Sequence, residues 1–527
     1  MTNSHSAVSS DRAGVGSPPP RGPWRHLALA LAACAAWTAL AASCAAPSRF
    51  PAEPFNVEPA NEGGRRGYDT NGDGQPDYVA LAGPDGRINR IGYDTTGDGQ
   101  ADVFQDLDAL PPATCRHVVI ILDGIGYNTV KAYQEAGHLA LFHKPARVIA
   151  PFPSMTDLAL ADVFRSVRPI GYEARYLDRR TGQLAGGDSD YLALVNEDWA
   201  RCVDYRADTL VDPLSYLFPQ HYLKEEVKAV KALFEQRDRP MVVAYLVSTA
   251  GMGTMHLLKG QQEVLAAIDH LAQQLVWQSQ GLVKVTVFAD HGHQLVRAQW
   301  IDFRKVLRTH GWRVTDRPTK DNDVGVVDYG LVTYAGFATR RRPALADTLV
   351  QAEGVDVVIY PANGDVVVCS DEGKARVQRR DHRLRYAADT GDPLHLSAII
   401  AQARAAGTID ADGFADDRTW LRLTAEHVYP DPVVRVWRAF HGLAEHVPDV
   451  VVSLKDGYSA GLPSRASRFS DGASTHGDLA AKSSTAFVIS TAGVVPESAQ
   501  PLRSRDLPDV LPALTGRPWP PPRKEKP

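Results

Sequence analysis

Short apolar runs, each cut off by polar residues, give the first outline of the chain. Val118-Val119-Ile120-Ile121-Leu122 stops at Asp123-Gly124, and similar runs lie at 241–247 and 283–288. Each is too short to cross a membrane and has no polar alternation, which is the pattern of a strand buried on both faces of a parallel sheet. Between the last two, Gln261 to Gln278 repeats Val264, Leu265, Ile268, Leu271 and Leu275 at helical spacing. Strand, helix and strand in that order make a crossover unit. Residues 300–440 read differently: strand-like pieces at 356–360 and 364–368 alternate with charged connections, predicting an antiparallel insertion or edge. Core strands are expected to resume at 449–454 and 486–490, with a closing helix over 506–515 and a proline-rich tail at 518–527. The pattern predicts an α/β fold over 111–517, a mainly parallel sheet with helices on both faces.

In open sheets of this kind, ligands bind beyond the carboxyl ends of the strands. Asp123 stands at such an end. The strand at 283–288 runs likewise into Ala289-Asp290-His291-Gly292-His293, and Thr475-His476-Gly477-Asp478 lies in a Gly/Ser-rich loop between Asp471 and the strand at 486–490. Pro151-Phe152-Pro153-Ser154-Met155-Thr156-Asp157 precedes a helical run from Leu158 to Ser166. A hydroxyl at a helix N-terminus is well placed to attack phosphorus, because unpaired amides and the helix dipole stabilise an anion there. Taken singly, each piece has a plainer reading: an Asp-Gly turn, a solvated loop histidine, and Thr156 as an ordinary N-cap.

Ahead of the α/β region, Gly67-Tyr68-Asp69-Thr70-Asn71-Gly72-Asp73-Gly74-Gln75-Pro76-Asp77 recurs as Gly92-Tyr93-Asp94-Thr95-Thr96-Gly97-Asp98-Gly99-Gln100-Ala101-Asp102. Oxygen-bearing residues at loop positions one, three, five and nine, with glycine at six, suit a hard cation. The repeat resembles EF-hand-like calcium loops of extracellular modules, with Asp69, Asn71, Asp73 and Asp77 as ligands in the first copy and Asp94, Asp98 and Asp102 in the second. The closing glutamate at position twelve is absent: Ala80 and Gln105 stand there, with Asp106 one residue beyond the latter. These repeats occupy 66–110, after a proline-bearing linker at 45–65.

The N-terminus adds a location. Arg21 and Arg25 precede a charge-free, Ala/Leu-rich run from Leu27 to Ala42, ending at Ser43-Cys44. Residues 1–44 have the layout of a signal peptide, and Ala41-Ala42-Ser43-Cys44 resembles a bacterial lipoprotein cleavage site, with Leu31-Ala32-Ala33-Cys34 as the other candidate. The expectation is an exported protein of the bacterial cell envelope, periplasmic or on the surface, held to the membrane by a lipid at Cys44, with an uncleaved anchor as the alternative. No later run is long and apolar enough to span.

Composition narrows the chemistry. The 527 residues are 44% hydrophobic and 23% charged with a net charge of -5, a globular balance that offers nothing to a nucleic acid. Arg340-Arg341-Arg342 and Arg379-Arg380 read as solvated faces. The five cysteines, at 34, 44, 115, 202 and 369, show no CxxC spacing; one bridge among the last three would be compatible with export.

The order of the pieces carries more than any one of them. Asp-Gly after the first strand, Phe-Pro-x-x-Thr before a helix, Asp-His-Gly after a later strand and Thr-His-Gly near the end resemble the alkaline phosphatase superfamily, most nearly its type I phosphodiesterase and nucleotide pyrophosphatase branch. The resemblance covers roughly 115–517, including Gly391-Asp392-Pro393 and the stretch from Arg505 to Gly516. It implies Thr156 as nucleophile, Asp123, Asp290 and His291 as ligands of one metal, zinc or manganese, and His476 as a ligand of a second. The second metal of that branch also takes an Asp and a His four residues apart, where this chain has Ala250 and Thr254. His256 lies two residues late as a substitute ligand, and His293 is a comparable spare. The expectation is therefore an exported phosphoric ester hydrolase, of phosphodiesterase or nucleotide pyrophosphatase type, working with one metal. Its substrate would be a phosphate-ester small molecule or a lipid headgroup. The alternative is a catalytically degenerate lipoprotein that binds phosphate ligands or serves as a scaffold.

Overall fold

The computed structural model describes residues 49–58, 64–209, 211–236, 239–462 and 473–524. The signal segment with Cys34 and Cys44, part of the linker, and Asp471 lie outside the described residues. The element that organises the fold is β1, Arg116–Leu122. Val118 to Leu122 are all 0% exposed, so both faces of the strand are covered, as its unbroken apolar run demands.

Around it runs a six-stranded sheet formed with β2 (Ala146–Ile149), β3 (Met241–Leu246), β4 (Val283–Ala289), β5 (Thr485–Ser490) and β6 (Leu502–Arg503), in the order β3-β1-β4-β5-β2-β6. β3 and β4 flank β1 in parallel, β5 is antiparallel to both of its neighbours, and β6 is parallel to β2. Five strands thus point one way and β5 the other, so the sheet is mainly parallel. The helices α1, Thr156–Phe164, and α2, Ser248–Gln278, belong to the layers covering it. α2 begins thirteen residues before the predicted Gln261, and it is broken at Leu257, whose φ is 55° and ψ -141°.

A second sheet of nine strands fills 313–454. Apart from the parallel pair at 313–314 and 323–324, all its neighbours are antiparallel. The antiparallel stretch is therefore an insertion with a sheet of its own and not an edge of the first sheet. Val450–Leu454 was expected in the first sheet. It lies instead inside the second, between Tyr334–Thr339 and Val355–Ala362. All five of its residues are buried, and a doubly buried strand looks the same in sequence whichever sheet it joins.

The repeats form a five-stranded meander over 56–106 with the two Asp/Gly loops at its turns. It is not a separate bead. Phe50, Tyr68, Tyr78, Ile88 and Ile91 share one apolar core with β1 and α2, and the Tyr68 hydroxyl donates to Gln273 Oε1 at 2.8 Å. Cys115, Cys202 and Cys369 are buried and free, so no bridge joins them.

Candidate metal and nucleophile site

Register sets the site. Leu246 and Ala289 pair with Leu122, so β1, β3 and β4 end in step, and Asp123 and Asp290 each follow as the next residue. β5 runs the opposite way, so the loop before it, carrying His476, arrives at that same edge. β2 ends there too, at Ile149, and hands the chain to Pro151 and then to α1.

Each carboxylate has one oxygen tied and one free. Asp290 Oδ1 accepts the N–H groups of Gly124 at 3.1 Å and of His291 at 2.8 Å. Asp123 Oδ2 accepts the Tyr245 hydroxyl at 2.5 Å. Asp123 Oδ1 and Asp290 Oδ2 are buried with no hydrogen-bond partner, and they lie 3.7 and 3.3 Å from His291 Nε2. Thr156 Oγ1 is 3.2 Å from that same nitrogen. Thr156 is not the cap of α1: Met155 holds that position and makes no side-chain cap, so the threonine hydroxyl is left to the site.

The histidine tautomers follow from their other nitrogens. His291 Nδ1 donates to the Gly292 carbonyl and His476 Nδ1 to the Ser154 carbonyl, at 2.8 and 2.9 Å. Both therefore present a lone pair at Nε2. Their rings stack with centroids 3.8 Å apart. Ligand atoms of Asp123, His291 and His476 all lie within 4.8 Å of one another, the one group of its kind among the described residues. Burial pushes His291 down to about 4 and His476 down to about 3, so both rings are neutral at neutral pH. Burial also raises Asp123 and Asp290 above the ordinary carboxylate range, and the facing Asp290 charge adds to the shift at Asp123. Two partnerless carboxylate oxygens converging with imidazole lone pairs are mutually repulsive unless a cation lies among them. The donor set, the Asp123 carboxylate and the two neutral imidazoles with Asp290 Oδ2 beside His291, fits a divalent zinc- or manganese-class ion.

The other half of the site lacks such donors. Ala250 and Thr254 are buried there, and His293 fills the space beside them. Its Nδ1 accepts the Leu295 N–H at 3.3 Å, which leaves Nε2 carrying the proton toward Thr254 Oγ1 at 3.4 Å. His293 thus offers an N–H where His291 and His476 offer lone pairs. His256 is not brought in. It is exposed, and its Nε2 lies 2.8 Å from Gln220 Nε2.

Several contributors carry no motif. Tyr245 lies one residue before the end of β3, paired with Ile121; a polar hydroxyl in an otherwise apolar strand was the available signal. Gln261 Nε2 donates to the Gly124 carbonyl at 2.6 Å, and Trp199 Nε1 donates to Asp157 Oδ1 at 3.0 Å, holding that carboxylate at the first turn of α1.

In the meander loops the carboxylates are turned onto their own backbone. Asp69 accepts the N–H groups of Gly72 and Gly74 at 2.6 and 2.9 Å, and Asp94 those of Gly97 and Gly99 at 2.7 and 2.6 Å. Thr70 donates its N–H and hydroxyl to Asp77, and Thr95 its hydroxyl to Asp102. Asn71, Asp73 and Asp98 sit exposed on the same loops.

No protein-family model matches the chain, and no curated protein matches it. Among solved structures it is similar to phosphonoacetate hydrolase from Sinorhizobium meliloti 1021 in complex with phosphonoformate, at 14% identity and a TM-score of 0.40, covering 80% of this chain and 99% of that one. It is also similar to human ectonucleotide pyrophosphatase/phosphodiesterase 5, at 11% identity and a TM-score of 0.41, covering 78% and 97%.

Proposed function

We propose that the chain is a metal-dependent phosphoric ester hydrolase, with Thr156 as its nucleophile and one divalent cation held by Asp123, Asp290, His291 and His476. The observation that supports this is the convergence of two partnerless carboxylate oxygens and the His291 lone pair beside the Thr156 hydroxyl. Bound there, the cation would lower the hydroxyl pKa and offset charge on the phosphoryl group.

The chain's own residues do the rest. The first-turn amides of α1 have no intrahelical acceptor and offer hydrogen bonds to phosphoryl oxygens. Trp199 restrains the Asp157 carboxylate, limiting its repulsion of the incoming anion. Thr156 Oγ1, giving up its proton to water, forms the new bond to phosphorus as the ester oxygen leaves and takes up a proton, and water then cleaves the threonine–phosphorus ester, releasing phosphate or a phosphate monoester and restoring the hydroxyl. A single cation suits the far half of the site, where His293 presents an N–H and Ala250 presents nothing.

The test is direct. The full chain loaded with manganese or zinc should turn over p-nitrophenyl phosphate or bis-p-nitrophenyl phosphate, and Thr156→Ala should lower the rate by at least about 10³-fold while the metal is retained. Turnover untouched by that substitution would remove Thr156 from its role. A metal-loaded chain inert on both esters would leave a phosphate-binding surface protein, the reading that Ala250 and Thr254 favour.

A further inference from the structure

Behind the segment that leads to Thr156 lies a buried cation whose hydrogen bonds go to neutral groups. Arg435 belongs to the helix Pro432–Phe440, whose Val433, Val436 and Trp437 pack into the apolar core of the second sheet, and it is 3% exposed. Asp431, four residues earlier, is taken by another arginine: it accepts Arg503 on both carboxylate oxygens, at 2.6 and 3.0 Å. Arg435 Nη1 donates instead to the carbonyls of Pro430 and Leu479 at 3.0 and 2.9 Å. Its Nη2 donates to the Pro151 carbonyl at 3.3 Å and to the hydroxyls of Ser154 and Ser484 at 3.1 and 2.6 Å. Burial pulls the guanidinium down to about 10, against the attraction of Asp431 and Asp478, so it is charged at neutral pH.

A guanidinium is a costly way to fill buried space, since an apolar side chain of similar volume commonly does so for less. What it adds is a planar fork that meets several acceptors at fixed angles. Those acceptors come from the two segments that the site needs in register. Pro151 and Ser154 stand just before Thr156, and Leu479 and Ser484 follow His476. The same segments meet again at the site, where His476 Nδ1 donates to the Ser154 carbonyl at 2.9 Å and the Ser154 N–H to the Gly477 carbonyl at 3.2 Å. Sliding one segment past the other therefore displaces the Thr156 hydroxyl relative to His476 Nε2.

We propose that Arg435 is a positioning residue of the site: from the second sheet it locks the Thr156 segment to the His476 segment, touching neither substrate nor cation. The inference rests on the metal and nucleophile reading above, and its test has a readout that does not need turnover. Arg435→Lys keeps the charge and gives up the fork; Ser154→Ala with Ser484→Ala keeps the guanidinium and removes two of its five acceptors. In the full chain, well below the melting transition, each should lose manganese to a chelator about tenfold more readily. On whichever p-nitrophenyl ester the parent cleaves, kcat per bound metal should fall roughly 100-fold with KM within about twofold. A role in stability alone would shift melting and leave both quantities at the parent values. A loss in either quantity supports the proposal; both unchanged, or a parent that takes up no manganese, would overturn it. If the parent binds manganese and cleaves neither ester, the hydrolase reading falls and retention alone decides here: weakened in the variants it supports the positioning role, unchanged it removes it.

Discussion

Tyr245 makes the plainest test at the level of single residues. Its hydroxyl occupies one oxygen of Asp123 and so aims the other at His291 Nε2. Tyr245→Phe removes that constraint without touching the cation's donors. Metal retention, followed by competition with a chelator, should weaken by about 10–100-fold, the usual effect of losing a hydrogen bond that orients a ligand; unchanged retention would mean that Asp123 is positioned by the strand alone. A pH dependence belongs to the same atoms. Asp123 and Asp290 have their pKa values raised by burial in the folded chain, so without metal the folded state binds more protons than the unfolded state once pH passes the ordinary aspartate value of about 3.9. Stability of the metal-free chain should therefore fall as pH rises from that value toward neutrality, and added manganese or zinc should restore it. Melting curves with and without chelator across that range check the sign. A metal-free chain that grows more stable with pH through the site's titration would contradict it.

At the level of elements, the site depends on two loops passing at close quarters. Gly292 follows His291, and a Cβ on it would lie 2.0 Å from the Lys482 carbonyl oxygen, in the segment that leads into β5. Gly292→Ala has to push the His476-bearing loop away from the end of β4. It should cost about 1–3 kcal/mol or more of stability and lower metal retention together with it, read by melting and metal analysis; a variant that melts and binds metal as the parent does would show that the loops are free to part. This closeness also explains what the sequence could and could not convey. The strands at 116–122, 241–246 and 283–289 were legible because doubly buried strands need unbroken apolar runs, and the meeting of Asp123, Asp290 and His291 with Thr156 was legible because the first three follow such strands and the last opens a helix. Tyr245 and the carbonyls of Ser154 and Gly292 were not, because their roles come from register and from backbone atoms that carry no letter of their own. Val450–Leu454 was placed in the wrong sheet for a related reason: burial is written in the residues, but the partner strand is not. His256, two residues beyond the position a ligand would need, points to solvent instead.

Over the whole molecule, the meander and the α/β core should melt as one body, since Phe50, Tyr68 and Tyr78 belong to the same apolar cluster as β1. We propose that the two Asp/Gly loops bind calcium through Asp69, Asn71, Asp73 and Asp77 and through Asp94, Asp98 and Asp102. Calcium should then raise the melting temperature of the single transition of the full chain, and Asp69→Asn with Asp94→Asn should remove the effect; a melting curve indifferent to calcium would return both loops to turns closed by their own amides. The loops and the interior site differ most in their access to water. Of the loop carboxylates, Asp73, Asp98 and Asp102 are exposed and Asp69, Asp77 and Asp94 half-buried, whereas Asp123, Asp290, His291 and His476 are all less than a tenth exposed. An ion on the surface equilibrates with whatever surrounds it. An ion held at the strand ends, among ligands with almost no contact with water, should exchange more slowly than one on the loops.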